Sequence, residues 1–340
     1  MRTHTKLASL PGADAARRAL RHIDERRVRQ LGLATAIAMF LVYTMGTLVT
    51  TTNSGHGCGQ SWPLCGGKFI PSFAISTAIE FSHRVITGVA TILVLAFAVG
   101  ALWFWRSRLE IRILAPMMVV ALFAEAGLGA ALVLLPASPL LLAVHFGSSL
   151  ILLASVLLTA AIVFELGGWD QLRDRPVPPG FRALAFGLAL FTYVVGYLGA
   201  YMRLRGMELA CNQWPVCQSG SFGPGNIAGA ALGVAHRLAA LVLTAGILWL
   251  FLWARRWRAE RPDLYRASLI ALALVLAQAL VGALVVFSRV AEYSQMLHAG
   301  LVALLFCTLG YICLHTLLRP MSARGIATRT RAAGAAAPAS

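Results

Sequence analysis

The chain has 340 residues, 59% hydrophobic and 12% charged, with a formal net charge of +16 and a mean hydropathy of +0.75. Apolar runs of about 20 residues, the length that crosses a bilayer, recur along it and exclude an ordinary soluble domain. Its basic residues lie in the tails and in alternate loops, so the charge is a membrane-topology signal and nucleic acid is excluded as a partner.

In chain order, residues 1–30 form a basic tail ending in RRALRHIDERRVR, partly helical, with no cleavable signal peptide. The first span covers roughly 31–52. A loop with Cys58 and Cys65 leads to spans at about 76–105, 113–135 and 140–166. The stretch WDQLRDRPVPPG, with its prolines and charges, divides the chain within a linker at 167–180. Span five, about 181–203, precedes a loop with Cys211 and Cys217. Spans at about 226–254, 267–288 and 293–318 follow, and 319–340 is a polar, disordered tail. The expected fold is an all-α integral membrane protein of eight transmembrane helices, two pseudo-symmetric four-helix halves in parallel repeat (31–166 and 181–318). Arginine and lysine crowd the tails and the 2–3, 4–5 and 6–7 loops. The positive-inside rule therefore places both termini in the cytoplasm and the cysteine loops outside the plasma (inner) membrane, where disulfides persist.

One offset organises the chemistry. His83 and His236, His145 and His298, and Cys58 and Cys211 are each 153 residues apart. The four histidines fall about 6–11 residues inside the outer ends of the even-numbered spans, at one depth, roughly 10–15 Å below the surface. A single intramembrane histidine can be a hydrogen-bonded packing residue. Four at matched depth point to a functional site, because ionisable groups are costly there. Zinc is one reading of paired histidines, but it usually takes a third or fourth ligand. Two imidazoles from facing helices suit the axial positions of a heme better, His83 with His145 and His236 with His298. Gly88, Gly147 and Gly233 offer small surfaces where a flat macrocycle can approach. Arg84 and Arg237 follow their histidines and can pair with heme propionates, or snorkel to headgroups. His4, His22, His56 and His315 show no repeat and receive no role.

The repeat breaks at Glu80, whose partner is Gly233. Glu80 stands one turn before His83 on the same face, so only the first half has a carboxylate beside its histidines. It reads as a catalytic group, with a structural carboxylate paired to an arginine or hydroxyl as the plainer alternative. Glu125 matches Gln278 in similar settings, AEAGLGA and AQALVGA. That position suits an interhelical or cofactor hydrogen bond, with a proton-relay role open at Glu125. CGQSWPLC and CNQWPVC are the matched loops. Their external position implies the disulfides Cys58–Cys65 and Cys211–Cys217 as lids over the sites below, or a pair that exchanges electrons. Cys307 and Cys313 read as packing residues.

The EFSHR stretch, the second HR, the NSGHGCGQSWPLC loop, its NQWPVC repeat and the two later histidines together resemble the heme A synthase family, in its bacterial form with cysteine pairs in both loops. The resemblance covers about 31–318. It implies an oxidoreductase that oxidises the C8 methyl of heme O to a formyl group through successive hydroxylations, giving heme A for cytochrome oxidase. It implies His83 and His145 around the substrate heme O, His236 and His298 on a heme b cofactor, Glu80 as the catalytic carboxylate, and Cys58 and Cys65 as the functional first pair. It also implies lipid contact, an external electron acceptor and heme O handed over by heme O synthase. Homo-oligomerisation stays open. Thr50 to Thr52 stand where the family commonly has an arginine, and Gln60-Ser61 where it commonly has an acidic residue. Propionate contacts and any partner contact of that loop are therefore unassigned. The rival readings are a quinone-linked thiol oxidoreductase, which leaves four histidines unused, and a diheme cytochrome b or heme transporter, which leaves Glu80 unexplained.

Overall fold

The computed structural model describes residues 11–68, 74–136, 138–172, 175, 177–217 and 227–317, with side chains left aside at 11–23 and 167–172. Eight α-helices carry the described chain: α1 Pro11–Thr51, α2 Ile75–Trp105, α3 Leu109–Leu134, α4 Pro139–Leu172, α5 Pro179–Leu204, α6 Ile227–Ala254, α7 Pro262–Phe287 and α8 Glu292–Thr316. All eight are long and apolar enough to cross a membrane. The basic tail enters α1 as one continuous helix. Helix α4 runs about six residues into the expected linker, because the first prolines that can stop it come only at Pro176 and beyond.

Local chemistry explains the starts and stops. Prolines open α4, α5 and α7, where the ring's fixed φ suits a helix and the missing N–H has no intrahelical partner anyway. Helices α1 and α5 end alike. Asn53 (φ 52) and Gly206 (φ +63) adopt the left-handed conformation. The next residue then bonds back five positions, Ser54 N to Val49 O at 2.8 Å and Met207 N to Met202 O at 2.9 Å. Both stops obey the 153-residue offset.

In the first half α1 packs on α2 and α4, and α3 packs on α2 and α4. In the second, α5 packs on α6 and α8, and α7 on α6 and α8. Adding four to each helix number turns the first arrangement into the second. The halves meet through α1–α8, α4–α5 and α4–α8. Glycines permit the closest crossings: a Cβ on Gly147 would overlap the Tyr197 ring, and one on Gly300 would stand 3.3 Å from Phe40 Cζ. One apolar core gathers Phe97, Ile111, Met118 and Leu153, with Ala303 and Cys307 of α8. The other gathers Phe181, Ile247, Leu250 and Leu264. Large apolar side chains such as Ile92, Trp103, Val120 and Leu280 face outward, where lipid is their natural solvent.

A polar clasp sits at the end of the bundle opposite the cysteine loops. Arg261, only 2% exposed, forms two bonds to Asp263 at 3.0 and 2.7 Å and donates to the His315 carbonyl at 3.0 Å. His315 Nδ1 lies 2.8 Å from Asp263, and its Nε2 lies 3.2 Å from Glu165 of α4. Tyr311 also donates to Glu165. The histidine given no role in the sequence is thus a structural link between α4, α7 and α8.

Candidate functional site

His83, His145, His236 and His298 are half-buried on α2, α4, α6 and α8. Within each half the two rings are close enough to interact electrostatically, His83 with His145 and His236 with His298. Each ring rests against a glycine of the preceding helix. A Cβ on Gly46 would lie 3.4 Å from His83 Cε1, on Gly129 3.6 Å from His145, on Gly199 3.0 Å from His236 and on Gly282 3.4 Å from His298. These glycines themselves repeat at 153 residues. At Gly199 the imidazole lies closer than a Cβ comfortably allows, whereas at the other three a Cβ would be in ordinary van der Waals contact with the ring.

The donor set fits a flat iron macrocycle. The Nδ1 atoms of His83 and His298 are enclosed without a hydrogen-bond partner, and that of His236 is equally enclosed, with the Val195 carbonyl near its ring. An orphaned ring nitrogen is costly in a buried site unless the ring serves another purpose. Among the described residues no three His, Cys, Asp or Glu are grouped so as to hold a metal ion. The third ligand that zinc takes is therefore not supplied, whereas two imidazoles per half match an axial pair.

Glu80 is 4% exposed and fully engaged by protein groups. One oxygen receives the Arg84 guanidinium at 2.5 Å, and the other accepts the Cys58 N–H at 2.8 Å. Arg84 also donates to the carbonyls of Ser61 at 2.7 Å, Pro63 at 3.3 Å and Leu64 at 3.0 Å. The first loop, closed by Cys58–Cys65, is thereby strapped to the turn of α2 that carries His83. Charge-assisted bonds of this kind hold a carboxylate in one place.

The second loop is closed by Cys211–Cys217 and is strapped by other means. Arg237 donates to the Cys211 carbonyl at 2.9 Å, to Pro215 O at 3.3 Å, and lies 2.9 Å from Cys211 Sγ. The position of Glu80 is taken by Gly233, where a Cβ would stand 3.5 Å from Cys211 Cβ. Both Trp-Pro bonds of the loops are cis. Arg203 donates weakly to the Thr50 carbonyl of α1 at 3.4 Å and pairs with Glu208 at 3.0 Å. The stretch that lacks an arginine is thus reached by one from the other half.

Glu125 reaches His145: its Oε2 lies 2.9 Å from Nδ1, an electrostatic contact that is not aligned as a linear hydrogen bond. Ser149 Oγ is 2.9 Å from the same oxygen, and Ser148 bonds the other.

Two of the three glycines expected at a macrocycle are covered by protein instead. Gly147 seats Tyr197 between the halves and Gly233 lies under Cys211, whereas Gly88 has no protein atom against it. The four glycines that do touch the histidines were missed, although the 153-residue offset that marks the histidines also marks them.

The chain is similar to known proteins along most of its length. The family model described as COX15-CtaA, cytochrome oxidase assembly protein, matches residues 70–310. Proteins named heme A synthase from Bacillus licheniformis (39% identical over 293 residues, 85% of this chain and 96% of that one) and Symbiobacterium thermophilum (37% over 299 residues, 86% and 96%) are similar along nearly their whole length. One from Bacillus cereus is 35% identical over 289 residues, 85% of this chain and 93% of the relative. The chain belongs to the COX15-CtaA family of cytochrome oxidase assembly proteins.

Proposed function

We propose that this protein is a heme A synthase, a multi-pass membrane oxidoreductase that converts the C8 methyl of heme O into the formyl group of heme A. One observation carries the reading beyond the likeness to named relatives. In a frame that repeats its histidines, glycine seats and cysteine loops, a buried carboxylate stands beside the histidines of the first half only, Glu80 against Gly233.

His83 and His145 flank the substrate heme O. His236 and His298 hold a heme b, which when bound supplies one-electron transfer. Turning a methyl into a formyl group with an electron acceptor takes its oxygen from water, R–CH3 + H2O → R–CHO + 4 e− + 4 H+, so electrons and protons must both leave the site. Glu80 is the group placed to accept a proton or to stabilise positive charge developing at the reacting carbon. Arg84 and the Cys58 N–H hold its carboxylate in position for that task. The disulfide-closed loop shields the site from bulk solvent above. Heme O enters sideways from lipid, with its farnesyl tail in the apolar bundle and its propionates toward the loops. A propionate role for Arg84 and Arg237 is a shared one, because both guanidiniums already hold their loops. Electrons leave through the second half to an external acceptor. The halves, 31–166 and 181–318, are related by a pseudo-two-fold axis along the membrane normal. Both termini are cytoplasmic, and the loops face outward from the plasma membrane. Heme O synthase is the natural donor of substrate.

The test is to supply purified protein with heme O and an electron acceptor, then extract and separate the hemes. Heme b together with hydroxylated heme and heme A is the expected result. Heme b with unaltered heme O would leave an electron carrier or transporter, and no heme at all would return the thiol oxidoreductase to the front.

A further inference from the structure

A second break in the repeat surrounds His145. Glu125, 9% exposed, touches His145 Nδ1 at 2.9 Å and is itself contacted by Ser148 and Ser149. The corresponding residues of the second half are Gln278, Leu301 and Val302. The frame around this difference is the same in both halves. Gly129, one turn after Glu125, touches His145, and Gly282, one turn after Gln278, touches His298. Neither His145 Nδ1 nor His298 Nδ1 has an aligned hydrogen bond, but only His145 has a carboxylate against it, and Gln278 Oε1 is buried without a partner. A carboxylate held by two hydroxyls thus backs one histidine of the first half, while the matching position of the second half carries a neutral amide.

We propose that Glu125 is a positioning residue for His145 that makes the first-half heme harder to reduce than the second-half heme. The inference rests on the reading of His145 as a ligand of the substrate heme. A carboxylate at Nδ1 keeps the ring proton there and leaves Nε2 as the free electron pair. It also makes the imidazole a stronger electron donor, which stabilises the oxidised iron. The neutral amide at Gln278 gives no such push. Electrons released in the first half then run downhill to the second. The serine contacts are what keep the carboxylate in place, since an unpaired one would be expensive at this depth.

The test is a potentiometric titration of the full-length protein loaded with both hemes, followed by absorption, on the native chain and on Glu125→Gln, Glu125→Asp and Gln278→Glu. Glu125→Gln should shift the reduction equilibrium of the first-half heme at least tenfold toward the reduced form, about 59 mV for one electron. The second heme should not move, and Glu125→Asp should recover most of the shift. Outer-shell changes of this kind also weaken ligation, so first-half heme retention should fall roughly 10–100-fold. Gln278→Glu should lower the midpoint of the second heme alone, and it decides the matter if Glu125→Gln does not fold. A carboxylate that only ties α3 to α4 would leave every midpoint unchanged, and that result overturns the proposal. A native first-half heme that survives His145→Ala unaltered overturns the ligand assignment along with it.

Discussion

The first half of the molecule places a histidine pair, two glycine seats, a disulfide-closed loop and an arginine strap in the same order as the second. Around the histidines two differences stand out. Glu80 bonds the Cys58 N–H where Gly233 packs under Cys211. Glu125, Ser148 and Ser149 stand where Gln278, Leu301 and Val302 do. A duplicated frame can hold the same group twice. A carboxylate buried in only one copy needs its own partners, and Arg84, the Cys58 N–H and two serines supply them in the first half.

The strongest way to break that comparison is to remove ligands half by half. His236→Ala or His298→Ala should lose heme b and all product, whereas His83→Ala or His145→Ala should lose product and keep heme b. Outer-shell changes alone cost roughly 10–100-fold, so ligand loss should exceed that. Heme content and product in each purified variant are the readout, and equal heme loss on both sides would erase the distinction between halves.

The loops come next. Opening either disulfide releases a short loop, at a cost of about 2–3 kcal/mol. Cys58→Ser should lower heme A output severalfold without abolishing it, because the backbone N–H to Glu80 and the Arg84 strap remain. Cys211→Ser should reduce heme b retention with less effect on the first site. Complete loss of activity with Cys58→Ser and both hemes bound would favour thiol chemistry.

A finer probe uses the seats. Gly199→Ala pushes a methyl to 3.0 Å from the His236 ring, against 3.4 Å for Gly46→Ala at His83. Overpacking of this kind costs about 1–3 kcal/mol. Gly199→Ala should therefore lower heme b affinity more than Gly46→Ala lowers heme O affinity. Heme titrations of the two variants check the order.

Much of this was legible in the sequence, for physical reasons. Apolar runs of membrane length report spans directly, and a fixed offset reports duplication without any structure. The histidines stand out because ionisable residues are rare in membrane helices, and the loop cysteines stand out as matched pairs in two similar loops. Glycines do not, because they also serve helix crossings. Gly147 and Gly46 look alike in sequence, yet one seats Tyr197 and the other His83. Arg84 and Arg237 reach backbone carbonyls of a folded loop, and no spacing rule shows where such a loop will lie. The clasp of Arg261, Asp263, His315 and Glu165 joins residues 150 apart in sequence, so its histidine carries no local signal.

The most direct test of the division between halves is the heme content of Glu80→Gln. The amide keeps the size of the side chain and an oxygen for the Cys58 N–H but removes the charge that faces Arg84. Purified from cells that make heme O, this variant should contain heme b in the second half and unconverted heme O in the first, with no hydroxylated heme or heme A. Heme A at the native level would contradict the account and leave Glu80 as the anchor of a loop.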